Sequence, residues 1–221
     1  VFDRNAPIRV KTCGRALKHT VHLDKVKAEQ FVLPIGKKKT HVIGINPSQI
    51  TTEDLAVSLQ PAANYVPTDG YSKVAAVERH HNTGKIGVAV AKGYGIRNGA
   101  VASSVSHDSH NIIVIGDNDR DMALAVDEII RTQGGYTVVE NGEVFETLPL
   151  PIMGLMSDAG FESVNETLGR MIKKAHEMGV PADIEPFITL SFLALPVIPT
   201  LRITPRGLCL LTAKGPEILQ E

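Results

Sequence analysis

Residues 100–115 read AVASSVSHDSHNIIVI, which is two apolar segments on either side of a polar cluster. The segments Ala100–Val105 and Asn111–Ile115 are apolar enough to be buried on both faces, as the central strands of a sheet are. The cluster between them, Ser106–Asn111, then forms a turn at one end of that sheet. The stretch therefore predicts a buried sheet with polar side chains where two central strands end.

Other parts of the chain carry the same signals of short strands. Three further apolar runs predict strands at Thr40–Ile45, Val74–Glu78 and Ile86–Val90. The pair Asn141-Gly142 supplies the positive φ of a tight turn and predicts a hairpin between Tyr136–Val139 and Val144–Leu148. Strands therefore dominate the middle of the chain.

Two amphipathic helices are predicted beside these strands. Apolar residues recur at helical spacing over Met122–Ile130, after capping residues and before a pair of glycines. A second helix is predicted from about Glu162 to Met178, where the next residue is glycine. The apolar run at residues 186–196 is interrupted by prolines and is expected to be buried in the core.

These elements place the chain in the α/β (α+β) class, with one mixed β-sheet and flanking helices. We predict a domain at residues 39–221. Residues 1–38 lack clean periodicity and are predicted to be a linker or the end of a preceding domain. With 43% hydrophobic residues, the chain is long enough to bury a sizeable core.

Composition disfavours several classes of protein. The two cysteines, Cys13 and Cys209, have no CxxC spacing, which argues against a disulfide framework and a structural zinc site. The charged opening and the lack of an apolar run of ~20 residues lead us to expect a cytoplasmic protein with no membrane partner. The first 39 residues carry ten Lys/Arg against three Asp/Glu. Because the basic run Lys37–Lys39 has no interleaved aromatic residues, we expect no binding of nucleic acid.

The polar cluster is the densest group of residues that could carry chemistry. His107 and His110 lie three residues apart, with Asp108 between them and Asn111 behind. Such side chains could bind a metal, relay protons or grip the edge of a purine through hydrogen bonds. Equally, Asp108 and Asn111 could cap the turn while one histidine fills a gap in the packing. The sequence leaves both interpretations open.

A second polar cluster, Glu78-Arg-His80-His81, ends another predicted strand in the same way. If the two strand ends meet, four histidines and two carboxylates converge. Taken alone, His80 and His81 favour one buried and one exposed residue, because neighbours in a strand point to opposite faces. The chain has no GxGxxG or Walker pattern, which disfavours binding of dinucleotides and nucleoside triphosphates, and its His19-Thr-Val-His22 lacks the glutamate of the HExxH hydrolase motif.

Four separated motifs carry a resemblance to a known family. They are VERHH at residues 77–81, ASSVSHDSHNI at 102–112, LPLPIMGLMSD at 148–158 and PFITLSFLALPVIP at 186–199. In this order, they resemble the C-terminal domain of bacterial adenine deaminases, which are hydrolases of the amidohydrolase superfamily. The resemblance covers roughly residues 39–210.

The resemblance implies an enzyme of purine metabolism and salvage that converts adenine and water to hypoxanthine and ammonia. Members of the family hold their metals, manganese or iron, in an N-terminal barrel that begins with an H-x-H pair. None of the eight histidines here forms such a pair, and a (β/α)₈ barrel alone takes ~250 residues. We therefore expect an accessory C-terminal domain that lacks the metal-bearing barrel, binds no metal itself and is inactive in isolation.

The expected partners are adenine, the N-terminal barrel of the same protein and further copies of the protein in a homo-oligomer. The resemblance suggests that the polar residues contact the purine or support those that do: His107, Asp108, His110, Asn111, Glu78, His80 and His81. Two alternatives remain open. The domain could be a structural or oligomerisation domain that acts through Phe187–Leu195, or a free-standing module that binds a purine or a metal.

Overall fold

The computed structural model describes residues 14–68 and 70–219 of the chain. Two short 3₁₀ helices come first, at Arg15–Lys18 and Ala28–Phe31. The strands are β1 (Thr40–Ile45), β2 (Thr52–Val57), β3 (Tyr71–Val77), β4 (Ile86–Lys92), β5 (Gly99–Ser103), β6 (Ile112–Gly116), β7 (Gly135–Glu140), β8 (Glu143–Pro149), β9 (Leu201–Thr204), β10 (Gly207–Thr212) and β11 (Gly215–Ile218). The helices are α1 (Asp119–Thr132), α2 (Phe161–Glu177) and α3 (Pro186–Phe192).

Eight strands form one mixed sheet in the order β2-β1-β4-β3-β6-β5-β7-β8. Strands β1 and β4 are parallel, and the other neighbours in this sheet are antiparallel. Strands β9, β10 and β11 form a second, three-stranded antiparallel sheet. The prediction of a mixed β-sheet with flanking helices is therefore confirmed, although β2 and the small sheet were not predicted.

The central strands of the large sheet are buried on both faces, and their side chains alternate between two apolar layers that cover the sheet. In β3, Val74 and Ala76 join a core with α2, α3 and the small sheet. Ala75 and Val77 point the other way and pack with α1. Strands β5 and β6 are buried at every position, which confirms the prediction of central strands.

Local sequence signals explain where several elements begin and turn. The Asn118 side chain accepts a hydrogen bond from the Asp121 N–H at 2.9 Å and caps α1. Asn141 and Gly142 both have positive φ, at 52° and 82°, as the predicted hairpin turn requires. The run at residues 186–196 folds into α3 and the turns after it. The prediction that this run is buried is wrong at Ile188, which is 57% exposed because a surface helix keeps one face in contact with solvent.

The buried side chain of Lys73, in β3, connects the sheet to the first residue of α1, Asp119. The Lys73 side chain is 1% exposed, and its ammonium donates to the carboxylate of Asp119, the carbonyl of Phe31 and the Oδ1 of Asn64. Burial lowers the Lys73 pKa, and the nearby Asp119 opposes this shift. Asp119 is thus the one anionic partner of this ammonium among the described residues.

Replacing Asp119 with alanine is expected to destabilise the fold by about 3 kcal/mol, because it leaves a buried ammonium without its counter-charge. Urea unfolding of D119A, K73M and the double variant measures the coupling between the two groups. Glu177→Ala is the matched control, since it breaks the exposed Lys173–Glu177 pair and is expected to change stability by less than about 1 kcal/mol. Equal losses in D119A and E177A would contradict the prediction.

Candidate functional site

The two polar clusters meet at one end of the large sheet. Val77, the last residue of β3, pairs with Ile112, the first residue of β6, and so both clusters leave the sheet at the same end. The Arg79 N–H donates to the Oδ1 of Asn111 at 3.2 Å. The His80 Nε2 lies 2.8 Å from the carbonyl oxygen of Ser109. The two strand ends therefore meet, which is the condition that the sequence left open.

Helix α3 holds the first histidine of the loop 106–111 in place. The His107 N–H donates to the carbonyl of Ser191 at 3.1 Å. Its ring packs against Phe192, with the ring centroids 4.8 Å apart, and meets the ring of His110 edge-on at 6.0 Å. The two imidazoles therefore form one aromatic group between the loop and α3.

His110 sits in a constrained and partly desolvated position. Its φ is 50°, and its N–H donates to the carbonyl of Ser106 at 2.6 Å. Burial, His107 and Arg79 lower the pKa of the His110 imidazole below its ordinary value of 6.5. The ring is therefore neutral near pH 7. Its Nδ1 is buried and has no hydrogen-bond partner within the described ranges.

Asp108 is the exposed carboxylate of the loop. Its charge acts on His110, where it raises the pKa against the larger effect of burial. No hydrogen bond to the Asp108 carboxylate is formed by the part of the chain that the structure describes. Its two oxygen atoms are thus free to accept hydrogen bonds from a ligand.

The carboxylate of Glu78 is used within its own turn. It accepts hydrogen bonds from the N–H groups of His80, His81 and Thr83 and from the Thr83 hydroxyl, at 2.6–3.1 Å. Burial raises the Glu78 pKa, but these hydrogen bonds together lower it below its ordinary value. His80 is half-buried and His81 is exposed. Glu78 therefore shapes the turn that carries both imidazoles.

Asn111 is also used inside the site. Its side chain is buried, accepts from the Arg79 N–H and donates to the Ser109 hydroxyl at 3.2 Å. This carboxamide ties the two clusters together and is not available at the surface. Of the predicted site residues in the loop, Asp108 is exposed and His107 and His110 are half-buried.

Sequence reasoning missed Arg79, which is 2% exposed and lies under the loop. Its guanidinium donates to the carbonyl of His110, to the carbonyl of Met153 at 3.0 Å and to Thr20 at 3.2–3.3 Å. A charged residue after a predicted strand ordinarily indicates exposure. The weak signal was its place inside one of the two histidine-containing segments, which lie side by side in the structure.

The residues of this site do not fit a metal centre. Among residues 14–68 and 70–219, no group of three or more His, Cys, Asp and Glu side chains could hold a metal ion. Glu78 faces its own turn and Asn111 faces Arg79, so the two clusters share backbone contacts without a common set of ligands. The metal that the resemblance implies would need ligands from outside these ranges.

The fold and the loops together define a mixed α/β domain that presents two imidazoles and a carboxylate at one end of its sheet, with no metal-binding set among the residues described. Over the same described ranges, no helix has both the length and the apolar character needed to cross a bilayer. The arrangement suits hydrogen bonding to a ligand. Any further catalytic groups would come from outside the described residues.

Comparison with known proteins gives the family. The model of the adenine deaminase C-terminal domain matches residues 49–214, and the chain therefore belongs to that family. The chain is 50% identical to an adenine deaminase of Desulfitobacterium hafniense (strain Y51) over 208 residues, which are 93% of this chain and 36% of that protein.

Two other adenine deaminases also match most of the chain over about a third of their own length. An adenine deaminase of Nitratidesulfovibrio vulgaris (strain DP4) is 48% identical over 87% of the chain and 34% of its own length. The protein named adenine deaminase 2 of Carboxydothermus hydrogenoformans is 42% identical over 88% of the chain and 35% of its own length. The chain thus spans about a third of the length of the curated relatives it matches.

Proposed function

We propose that this chain is the C-terminal part of a metal-dependent enzyme that hydrolyses adenine to hypoxanthine and ammonia. In this proposal His107, Asp108 and His110 contact the purine, and the preceding part of the enzyme supplies the metal and the attacking water. The observation that carries it is the meeting of two histidine segments at one sheet end in a chain that matches about a third of its adenine deaminase relatives.

The chemistry of the three side chains suits adenine. A purine of this kind offers an exocyclic amine as donor and ring nitrogens as acceptors. The free carboxylate of Asp108 can accept from N–H groups, and a neutral imidazole can donate to a ring nitrogen through one of its own nitrogens. The low pKa of His110 keeps that ring neutral near pH 7. Together these groups can form hydrogen bonds with both the donors and the acceptors of adenine.

Exposed apolar side chains close to the loop support a contact with the rest of the enzyme. Met153, whose carbonyl binds Arg79, is 44% exposed, and Met156 beyond it is 52% exposed. Leu17, whose carbonyl accepts from the Met153 N–H, is 41% exposed. Ile188 lies one helical turn before Phe192 on α3. Apolar residues gathered around a polar site are typical of a surface that another domain covers.

The remaining assignments follow from the same proposal. The residues that support loop 106–111, and do not themselves contact the purine, are Glu78, His80, His81 and Asn111. Residues 1–38 are a linker or the end of the preceding domain, whose described part packs on the C-terminal domain at residues 39–221 through Thr20 and Phe31. The parent enzyme uses manganese or iron, acts in purine salvage in the cytoplasm and forms a homo-oligomer.

Kinetics of the full-length enzyme that contains this chain test the proposal. His107→Ala and Asp108→Asn are each expected to lower kcat/KM for adenine by about tenfold or more, which is the loss of one or two hydrogen bonds to the purine. An equal fall in kcat and kcat/KM would mean that the bond forms only in the transition state, and a rise in KM alone would mean that it holds the substrate. His41→Ala is the control, because His41 pairs with Asp54 between β1 and β2.

Unchanged kinetics in both variants would refute contact with the purine. The structural alternative predicts that substitutions in Phe187–Leu195 alter the oligomeric state while H107A and D108N leave kcat/KM unaltered. The free-standing alternative predicts tight binding of adenine or of a metal to the 221-residue chain by itself, measured by calorimetry.

A further inference from the structure

Arg79 joins the loop 106–111 to both the N-terminal segment around Thr20 and the segment after β8. Its backbone N–H binds Asn111, and its guanidinium binds the carbonyl of His110, the carbonyl of Met153 and Thr20. Among the residues that the structure describes, all the acceptors of the guanidinium are neutral oxygen atoms. A buried cation without a carboxylate partner is energetically unfavourable, and burial lowers the pKa of Arg79 to about 10.

We propose that Arg79 is the positioning residue of this site, which holds the backbone and the imidazole of His110 in the arrangement that meets the substrate. Only its enzymatic consequence rests on the proposed function. The guanidinium fixes the carbonyl of a residue at φ 50°, where a side chain other than glycine needs support from its surroundings. Replacing the cation therefore removes both a hydrogen bond and a charge next to the imidazole.

The charged and titratable groups around His110 are few. His107 and Asp108 lie on its own loop, and Arg79 and His80 follow β3. Helix α3 contributes Ser191 and Phe192, which carry no charge. Arg79 and His107 lower the His110 pKa and Asp108 raises it, so removal of the guanidinium is expected to shift this pKa upwards.

NMR titration of the 221-residue chain separates the charge of Arg79 from its hydrogen bonds. In the unaltered chain, the His110 ring is expected to titrate below 6.5, and His110→Gln identifies its signal. Arg79→Met is expected to raise the midpoint. Arg79→Lys keeps the cation and is expected to preserve most of the low midpoint. In both variants the His110 amide, which donates to Ser106, is expected to exchange faster because the carbonyl of His110 has lost its donor.

A second variant covers the case in which Arg79→Met does not fold. Gly154 has φ +71°, and a Cβ at this position would lie 2.7 Å from Nη1 of Arg79. Gly154→Ala therefore displaces the guanidinium while keeping it in the chain, and is expected to raise the His110 midpoint as well. Ser104→Ala is the control, because it removes the buried hydrogen bond to the Gly154 carbonyl and leaves the cation in the chain. It is expected to lower stability without moving the midpoint.

The two proposals fail in different ways. An unaltered His110 midpoint in folded Arg79→Met, or in Gly154→Ala if Arg79→Met is unfolded, would overturn the positioning role of Arg79. An equal shift in Ser104→Ala would overturn it too, because a general loosening of the packing would then explain the effect.

In the full-length enzyme, kcat/KM is expected to fall on the acidic side at a higher pH in Arg79→Met than in the unaltered enzyme. A shifted midpoint with an unaltered pH profile would refute the role of His110 in catalysis and leave the positioning of its ring intact.

Discussion

The 221-residue chain by itself is expected to release no ammonia from adenine, with or without added manganese. Attack by water near neutral pH requires a group that lowers the water pKa, and a bound metal is the ordinary means. Within the described ranges no set of side chains could hold that metal. The chain also spans only about a third of its adenine deaminase relatives. We therefore expect activity only when the preceding part of the enzyme is present.

A side-by-side assay of ammonia release tests this expectation. The isolated chain and the full-length enzyme are compared with manganese, with iron and with a chelator. Activity in the full-length enzyme alone, abolished by the chelator and restored by metal, is the expected result. Turnover by the isolated chain would show that the segments around His80 and His107 carry the chemistry themselves.

Gly87→Ala is expected to destabilise the domain by at least about 3 kcal/mol, which is the largest effect on stability that we predict for one methyl group. Gly87 lies in β4 beneath the turn between β9 and β10. A Cβ at this position would lie 2.0 Å from the Thr204 carbonyl oxygen and 2.6 Å from the Gly207 nitrogen. Both are backbone atoms, so the small sheet would have to move away from the large one.

Gly169→Ala is the matched control and is expected to act in the opposite direction. Gly169 lies inside α2, and no atom other than those of its own helix and chain neighbours lies within 4 Å of an added Cβ. Alanine is expected to stabilise this helix by about 0.5–1 kcal/mol because it loses less backbone entropy on folding. Thermal unfolding of the two variants compares the same added atom at the two sites. A small loss in G87A would show that the two sheets are less closely packed than the structure indicates.

Much of the large sheet follows from local patterns. Strands β3 to β8, both longer helices and the Asn141-Gly142 turn follow from apolar runs, capping residues and turn residues that act within a few positions of the chain. Strand β2 was missed because it lies at the edge of the sheet and its sequence, TEDLAV, is largely polar and exposed. The small sheet was missed because its strands, β9 to β11, are only 4 to 6 residues long and depend on pairing with one another.

The sequence by itself determined the fold class, the family resemblance and the two polar clusters, because each is written in residues that are close together in the chain. Only the tertiary structure decided which members of those clusters face outwards. In the folded domain, the side chains of Glu78 and Asn111 form hydrogen bonds within the site, whereas that of Asp108 stays accessible. The tertiary structure also buries Arg79 between segments that lie up to 74 positions away in the chain. Burial and hydrogen-bond partners depend on such distant contacts, and a linear pattern does not contain them.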